Sequence, residues 1–391
     1  MPHKYLDYLR LDIEKKLGHK ITNAKECELL SEEIKTSTKH IVSSQTFRRF
    51  FGIINYSGGY NKQLLNILSN FCGHENFDQY TQQLVAVQFA DCFQETKNYN
   101  PKSLWEQSEM LCTKIATSSQ LLVETHYKLL KYPLARQFFM EHHPMRDLLC
   151  TVYSQYFLEY LKYKDTTEAQ LFAYSFLYNA AYLSENEELK DLYYQKLISL
   201  KPTPEVFVLP AARYFGIQLL HADSLGNDKL FNEIWEKMLI ARLQYKTASE
   251  HSVCSFEYII LEELIFTNRV QEMQFLIENH TDQKYQDRNF IPEEIKINHQ
   301  QVWKILCAIV YHKTAQTEKL ELILSEIDLT KLTIGWKDYY SILYHLILFS
   351  NNQSLGTEQI KTIENLLKGK NFTYLENKFH LIKNNKLVLN N

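Results

Sequence analysis

Glycine and proline are scarce, with 10 and 8 residues in a chain of 391. A many-stranded β fold draws on both for its tight turns. Their scarcity argues instead for helices joined by short connections. The seven cysteines, Cys27, Cys72, Cys92, Cys112, Cys150, Cys254 and Cys307, are isolated, odd in number and form no CxxC pair. That suits buried, reduced thiols in a cytoplasmic protein rather than a disulfide frame. The N-terminus, Met1 to Tyr5, has no apolar signal core. The longest strongly apolar stretch, Tyr339 to Phe349, is interrupted by His345 and is too short to span a bilayer. No membrane association is expected.

Motifs of catalysis are missing as well. There is no phosphate loop, Gly-rich dinucleotide turn or nucleophile elbow. His142 and His143 are adjacent, so on a helix they face different ways and make poor paired ligands. Cys72 and His74 lack two further ligands nearby. Glu262 and Glu263, flanked by Leu261, Leu264 and Ile265, read as the solvated side of a helix. The expectation is a non-enzyme with no metal and no cofactor.

Apolar residues make up 45% of the chain, enough to bury a core. The length suits two or three units. The 26 tyrosines and 22 phenylalanines then serve mainly as fillers between packed helices. Charge is divided unevenly. Residues 1–75 carry 11 Lys/Arg against 8 Asp/Glu, and the remainder carries 32 against 38. From Ile34 to His74 there is no Asp or Glu, whereas Lys35, Lys39, Arg48, Arg49 and Lys62 all fall there. A surface facing phosphates should be depleted in acid in this way.

Within the head, apolar spacing predicts helices over Tyr5–Leu17, Ala24–Ile34, Ser44–Phe51 and Asn61–Phe71. Thr22 and Asn23 offer a cap for the second and Ser43 for the third, while Gly18, Gly52 and Gly73 are stops. Lys35 to His40 reads as a polar turn, after which Ile41 and Val42 re-enter the core. The run Leu30-Ser31-Glu32-Glu33-Ile34, then Val42 to Gly52, resembles the two central helices of the Cro/repressor-type helix-turn-helix family. Leu64 to Gly73 is similar to that family's following helix. The resemblance covers about 50 residues. It departs from the family in its turn, where about six extra residues stand at Lys35 to His40; either the first motif helix runs a turn longer or the loop is looser. The resemblance implies double-stranded DNA as partner. Ser43, Ser44 and Gln45 would meet base edges at the start of the recognition helix. Phe47, Phe50 and Phe51 would anchor it, Arg48 and Arg49 would reach a base or a phosphate, and Lys39, His40 and Lys62 would contact the backbone.

Beyond Glu75 the helical period dominates and helices come in pairs: Ala169–Leu183 with Glu187–Leu200, Glu205–His221 with Asp228–Leu243, Val253–Phe266 with Val270–Asn279, Val302–His312 with Glu318–Ile327, and Lys337–Phe349 with Thr357–Leu367. Ala180-Ala181 and Ala211-Ala212 permit close helix contact. Thr281 to His299 is the most polar interruption, a loop or a short extra helix. The pairs resemble tetratricopeptide-like repeats, without a cleanly repeated consensus. The resulting expectation is an all-α protein: a helix-turn-helix bundle at 1–80, a helical linker at 81–165 and a tetratricopeptide-like helical-hairpin array at 166–391. The plan is similar to that of bacterial transcription regulators that join these two parts. It implies a peptide or protein ligand for the array and a homodimer that presents two heads. The alternative is an interaction scaffold whose head does not bind DNA.

Overall fold

The computed structural model describes residues 3–56, 58–81, 84, 127–203, 205–284, 292–351 and 357–389, which are all-helical with no strand among them. Most of the expected linker at 81–165, with Cys92 and Cys112, lies outside the described residues. None of the described helices is long and apolar enough to cross a membrane. The chain divides into two compact units, Met1–Glu95 and Thr96–Asn391.

The first unit contains α1 (His3–Leu17), α2 (Ala24–Thr38), α3 (Ser44–Phe50) and α4 (Lys62–Phe71). Helix α2 opens with a capping box: Asn23 accepts from the Glu26 N–H, and Glu26 accepts from the Asn23 N–H. It runs four residues past the expected end at Ile34. Thr36, Ser37 and Thr38 stay helical because their hydroxyls donate back to the carbonyls of Glu32, Glu33 and Ile34, at 2.9, 2.8 and 2.7 Å. Lys39 then closes the helix in the left-handed region, φ 59°. The extra turn residues are thus taken up mainly by helix, and only Lys39 to Ser43 separate α2 from α3. The core of the unit is built from Leu9 and Ile13 of α1, Cys27, Leu30 and Ile34 of α2, Phe47 and Phe50 of α3, and Leu65, Leu68 and Phe71 of α4. Val42 joins it. Ile41 does not: it is 82% exposed, because the short connection turns successive side chains to opposite sides.

The second unit opens with short helical turns, including a 3₁₀ turn at Arg146–Leu148, then α5 (Gln155–Leu161). Five pairs follow. They are α6 (Thr167–Leu183) with α7 (Glu187–Ile198), α8 (Val208–Ser224) with α9 (Asp228–Gln244), α10 (Phe256–Leu264) with α11 (Val270–Glu278), α12 (Glu293–Lys313) with α13 (Thr317–Ser325), and α14 (Lys337–Asn351) with α15 (Thr357–Leu367). Each pair packs internally, and the first helices α6, α8, α10, α12 and α14 pack on one another in chain order. Helix α12 begins nine residues before the expected Val302, so the polar segment is partly helix; Pro292 precedes it and Glu293 and Glu294 occupy its first turn. Among the described residues of this unit four α-helices fall outside the expected pairs: the short Pro133–Arg136 and Lys246–Glu250, α5, and the last one, α16 (Thr373–Leu389), which packs on both α6 and α14.

Gly216, inside α8, lets α8 approach α10. A Cβ there would stand 2.7 Å from the Cγ of Glu263 and 3.7 Å from the Cα of Ile260. Glu263 cannot swing away, because Arg213 and Asn179 hold its carboxylate at 2.8 and 3.0 Å. On an exposed helix Gly→Ala stabilises by about 1 kcal/mol. Here Gly216→Ala is expected to destabilise the second unit by roughly 1–3 kcal/mol, a reversal of sign that urea unfolding followed by circular dichroism reads directly.

Candidate nucleic-acid interface and a buried ion cluster

Helix α3 is short, and its position is fixed from both ends. At the start, Ser43 caps it by accepting from the Thr46 N–H at 3.3 Å, and Ser31 of α2 donates to the Val42 carbonyl at 2.5 Å across the connection. At the end, Arg10 of α1 donates to the Phe50 carbonyl at 2.5 Å and Tyr60 donates to the Arg49 carbonyl at 2.9 Å. These bonds satisfy carbonyls that a helix terminus otherwise leaves unpaired. Phe47 and Phe50 are fully buried; Phe51 is half-buried and meets Phe50 edge-on at 5.3 Å. With one side so committed, Ser44, Gln45, Arg48 and Arg49 share the opposite side of the helix. Ser43, Gln45 and Arg49 are exposed, as are Lys39 and His40 in the preceding connection. Arg49 lies over the Tyr56 ring, 5.3 Å from its centroid.

Two of the named cations are engaged within the head. Arg48 pairs with Glu28 of α2 at 2.9 Å, and Lys62 pairs with Asp78 at 2.7 Å. Both acids lie outside the acid-free stretch of sequence yet beside it in space. Lys35 also stands 3.8 Å from Glu32. The free cationic and amide groups on this side of the head are therefore concentrated at Lys39, Gln45 and Arg49. Cys72, the other sequence candidate, is half-buried, and burial pushes its thiol up to about 12.

The second unit holds a charged cluster that sequence patterning placed in solvent. Glu262 and Glu263 of α10 are buried, the latter completely. All nine residues of α10 are buried, so this helix has no solvated side. Glu262 accepts from Arg146 at 3.0 Å through both oxygens, from Arg213 at 3.0 Å, and from the Tyr340 hydroxyl. Glu263 accepts from Arg213 at 2.8 Å and from Asn179 at 3.0 Å. Phe176 lies under the Arg213 guanidinium at 4.0 Å, and Trp336 under that of Arg146 at 4.1 Å. Nearby, His299 of α12 shares a hydrogen bond with the Tyr258 hydroxyl at 3.2 Å and meets Trp336 edge-on. Each of the five first helices thus supplies a polar group to this buried region: Asn179, Arg213, Glu262, His299 and Tyr340.

Burial pushes the Glu262 carboxyl up, but Arg146 and Arg213 outweigh it and hold it below its ordinary value. For Glu263 burial prevails over Arg213 and the net direction is upward. Among the described residues, Arg146 Nη1, Arg213 Nε and Glu263 Oε2 are buried without a hydrogen-bond partner. The cavity beside them, about 20 Å³, has room for about one water. His143, adjacent to His142 in sequence, stacks on Trp336 and bonds through Nε2 to the Ile334 carbonyl at 2.6 Å, a packing role. No group of three or more His, Cys, Asp or Glu that could hold a metal occurs among the described residues. Neither protein-family models, nor curated proteins, nor solved structures give a match to the chain.

Proposed function

We propose that the chain is a DNA-binding transcription regulator, with the first unit as its DNA-reading head and the second as its sensing or dimerising body. The observation that carries this reading is the outward side of α3. A helix anchored by Phe47 and Phe50 presents Gln45 and Arg49 to solvent, with exposed Ser43 and half-buried Ser44 at its start, next to Lys39 and His40, from a stretch without a single carboxylate. Gln and Arg are the side chains suited to bidentate contacts with adenine and guanine in the major groove. Lys39 and His40 are placed for backbone phosphates. The exposed Ile41 adds an apolar group of the kind that packs on a thymine methyl. The row of hairpins is similar in plan to tetratricopeptide arrays, which supports a body that works through interactions rather than chemistry.

The pairing of Arg48 with Glu28 and of Lys62 with Asp78 favours a second reading, a scaffold whose head does not bind DNA. A mobility-shift titration of the full chain on random duplex, repeated over a salt series, separates the two. The first reading expects affinity that falls with salt. Arg49→Ala or Gln45→Ala should weaken binding to a selected site by about 1–3 kcal/mol each. Arg48→Ala should cost less, since that guanidinium is already paired. Absence of any shift at low salt would leave the scaffold.

A further inference from the structure

The second unit contains a pocket of about 260 Å³, separate from the ion cluster, bounded by α12, α14, α16 and the residues just after α10. Its walls are apolar and well packed: Ile309, Leu343, Leu346, Ile347 and Leu375 are all buried. Two lysines enter it, Lys313 from the end of α12 and Lys378 from α16. Lys313 donates to the Thr267 carbonyl, and Lys378 lies 6.0 Å from the centre of the Tyr374 ring. Among the described residues neither ammonium has a carboxylate within ion-pair distance. The one acid that acts on Lys313, Asp223, is committed to Arg269 at 2.6 Å. Two like charges sharing an apolar recess without a counter-ion are an unbalanced arrangement.

We propose that this pocket binds a small aliphatic carboxylate, its tail between α12, α14 and α16 and its carboxylate between Lys313 and Lys378. At ~30 Å³ per water-sized group, the volume accommodates roughly nine non-hydrogen atoms, two carboxylate oxygens and about seven carbons in all, a chain close in length to octanoate. The charge complement is specific in sign. An amine would meet two like charges, and an alcohol would leave the ammonium groups unbalanced. The state of the lysines agrees with this. Burial and the charge of Lys378 bring Lys313 down to about 8, and burial lowers Lys378. The other titratable groups facing Lys313 are Asp223, bound as described, and His312 and Tyr374 on the pocket wall. A bound carboxylate raises Lys313 again, so binding at pH 8 takes up a proton. The site stands independently of DNA binding by the head.

The test uses the full chain with octanoate, 1-octanol and octylamine, by isothermal titration calorimetry and thermal unfolding. Octanoate is expected to bind and raise the unfolding midpoint, octanol to bind at least tenfold more weakly and octylamine not at all. Calorimetry at pH 8 in buffers of different ionisation enthalpy should report proton uptake. Lys378→Met and Lys313→Met should each weaken octanoate at least tenfold, and Leu343→Trp should block it. Should Lys313→Met not fold, Lys378→Met carries the comparison. Equal binding of octanol and octanoate would overturn the proposal, as would wild-type affinity in Lys378→Met or no heat with millimolar octanoate.

Discussion

Glu262→Ala is expected to cost the second unit about 3–5 kcal/mol of unfolding free energy. Glu262 is the shared acceptor of Arg146, Arg213 and Tyr340, all of them buried. Deleting its carboxylate leaves Arg146 with no anionic partner, and Arg213 with Glu263 alone. A guanidinium is always charged at accessible pH, so it cannot escape by losing its proton. A domain is stable by only ~5–15 kcal/mol, so this one change removes a large share. Replacing the group as a whole should behave differently. Arg146→Met, Arg213→Met, Glu262→Leu and Glu263→Gln made together remove the charges and their desolvation cost, including that of the Glu263 carboxylate which Arg213 otherwise pairs, and should recover most of the loss. Urea unfolding of the single and quadruple variants measures both. A loss under about 1 kcal/mol for Glu262→Ala would mean that the cluster is far better solvated than its burial indicates.

That cluster also shows where sequence patterning stops. The helices of the head were legible because their apolar residues recur at one spacing and their ends carry Asn23, Ser43, Gly52 and Gly73, whose chemistry is local. The five body pairs were legible for the same reason. The partners of Glu262 were not, since Arg146 lies 116 residues away and Arg213 lies 49 away. A signal was nonetheless present. Phe256, Tyr258, Ile259, Ile260, Leu261, Leu264 and Ile265 leave α10 apolar all round, and charges on such a helix must be buried and paired. In the candidate interface, the outward direction of Gln45 and Arg49 followed from Phe47 and Phe50. The engagement of Arg48 by Glu28 did not, because acid depletion along the chain says nothing of acids brought alongside by folding. Ile41 misled for a simpler reason: in a five-residue connection one apolar neighbour, Val42, fills the available space.

The second large effect expected is on pH, where two buried groups of the second unit oppose each other. Burial pulls the His299 imidazole down to about 3, with Glu262 working against it and Arg146 and His143 adding to it. Its folded value is below its unfolded one. Its contribution is therefore present above pH ~6.5 and is lost as pH falls below that. Burial and the neighbouring Asp338 push Asp147 up to about 7, against the Tyr339 N–H that it accepts at 2.8 Å and the charge of Lys370. Its folded value is above its unfolded one. Its contribution is present below pH ~3.8 and is lost as pH rises to 7. Between pH 7 and 5 the two slopes have opposite signs, each worth about 2 kcal/mol. His142, His221, His280 and His345 are all lowered by burial and add to the side of His299. Glu263, raised, adds to that of Asp147. Asp147→Asn should therefore make stability fall more steeply on acidification from pH 7 to 5, and His299→Gln should make it fall less or rise. Urea midpoints of the three proteins at pH 5 and pH 7 give the comparison. Parallel pH profiles for wild type and both variants would show that neither group is held in the charge state its burial implies.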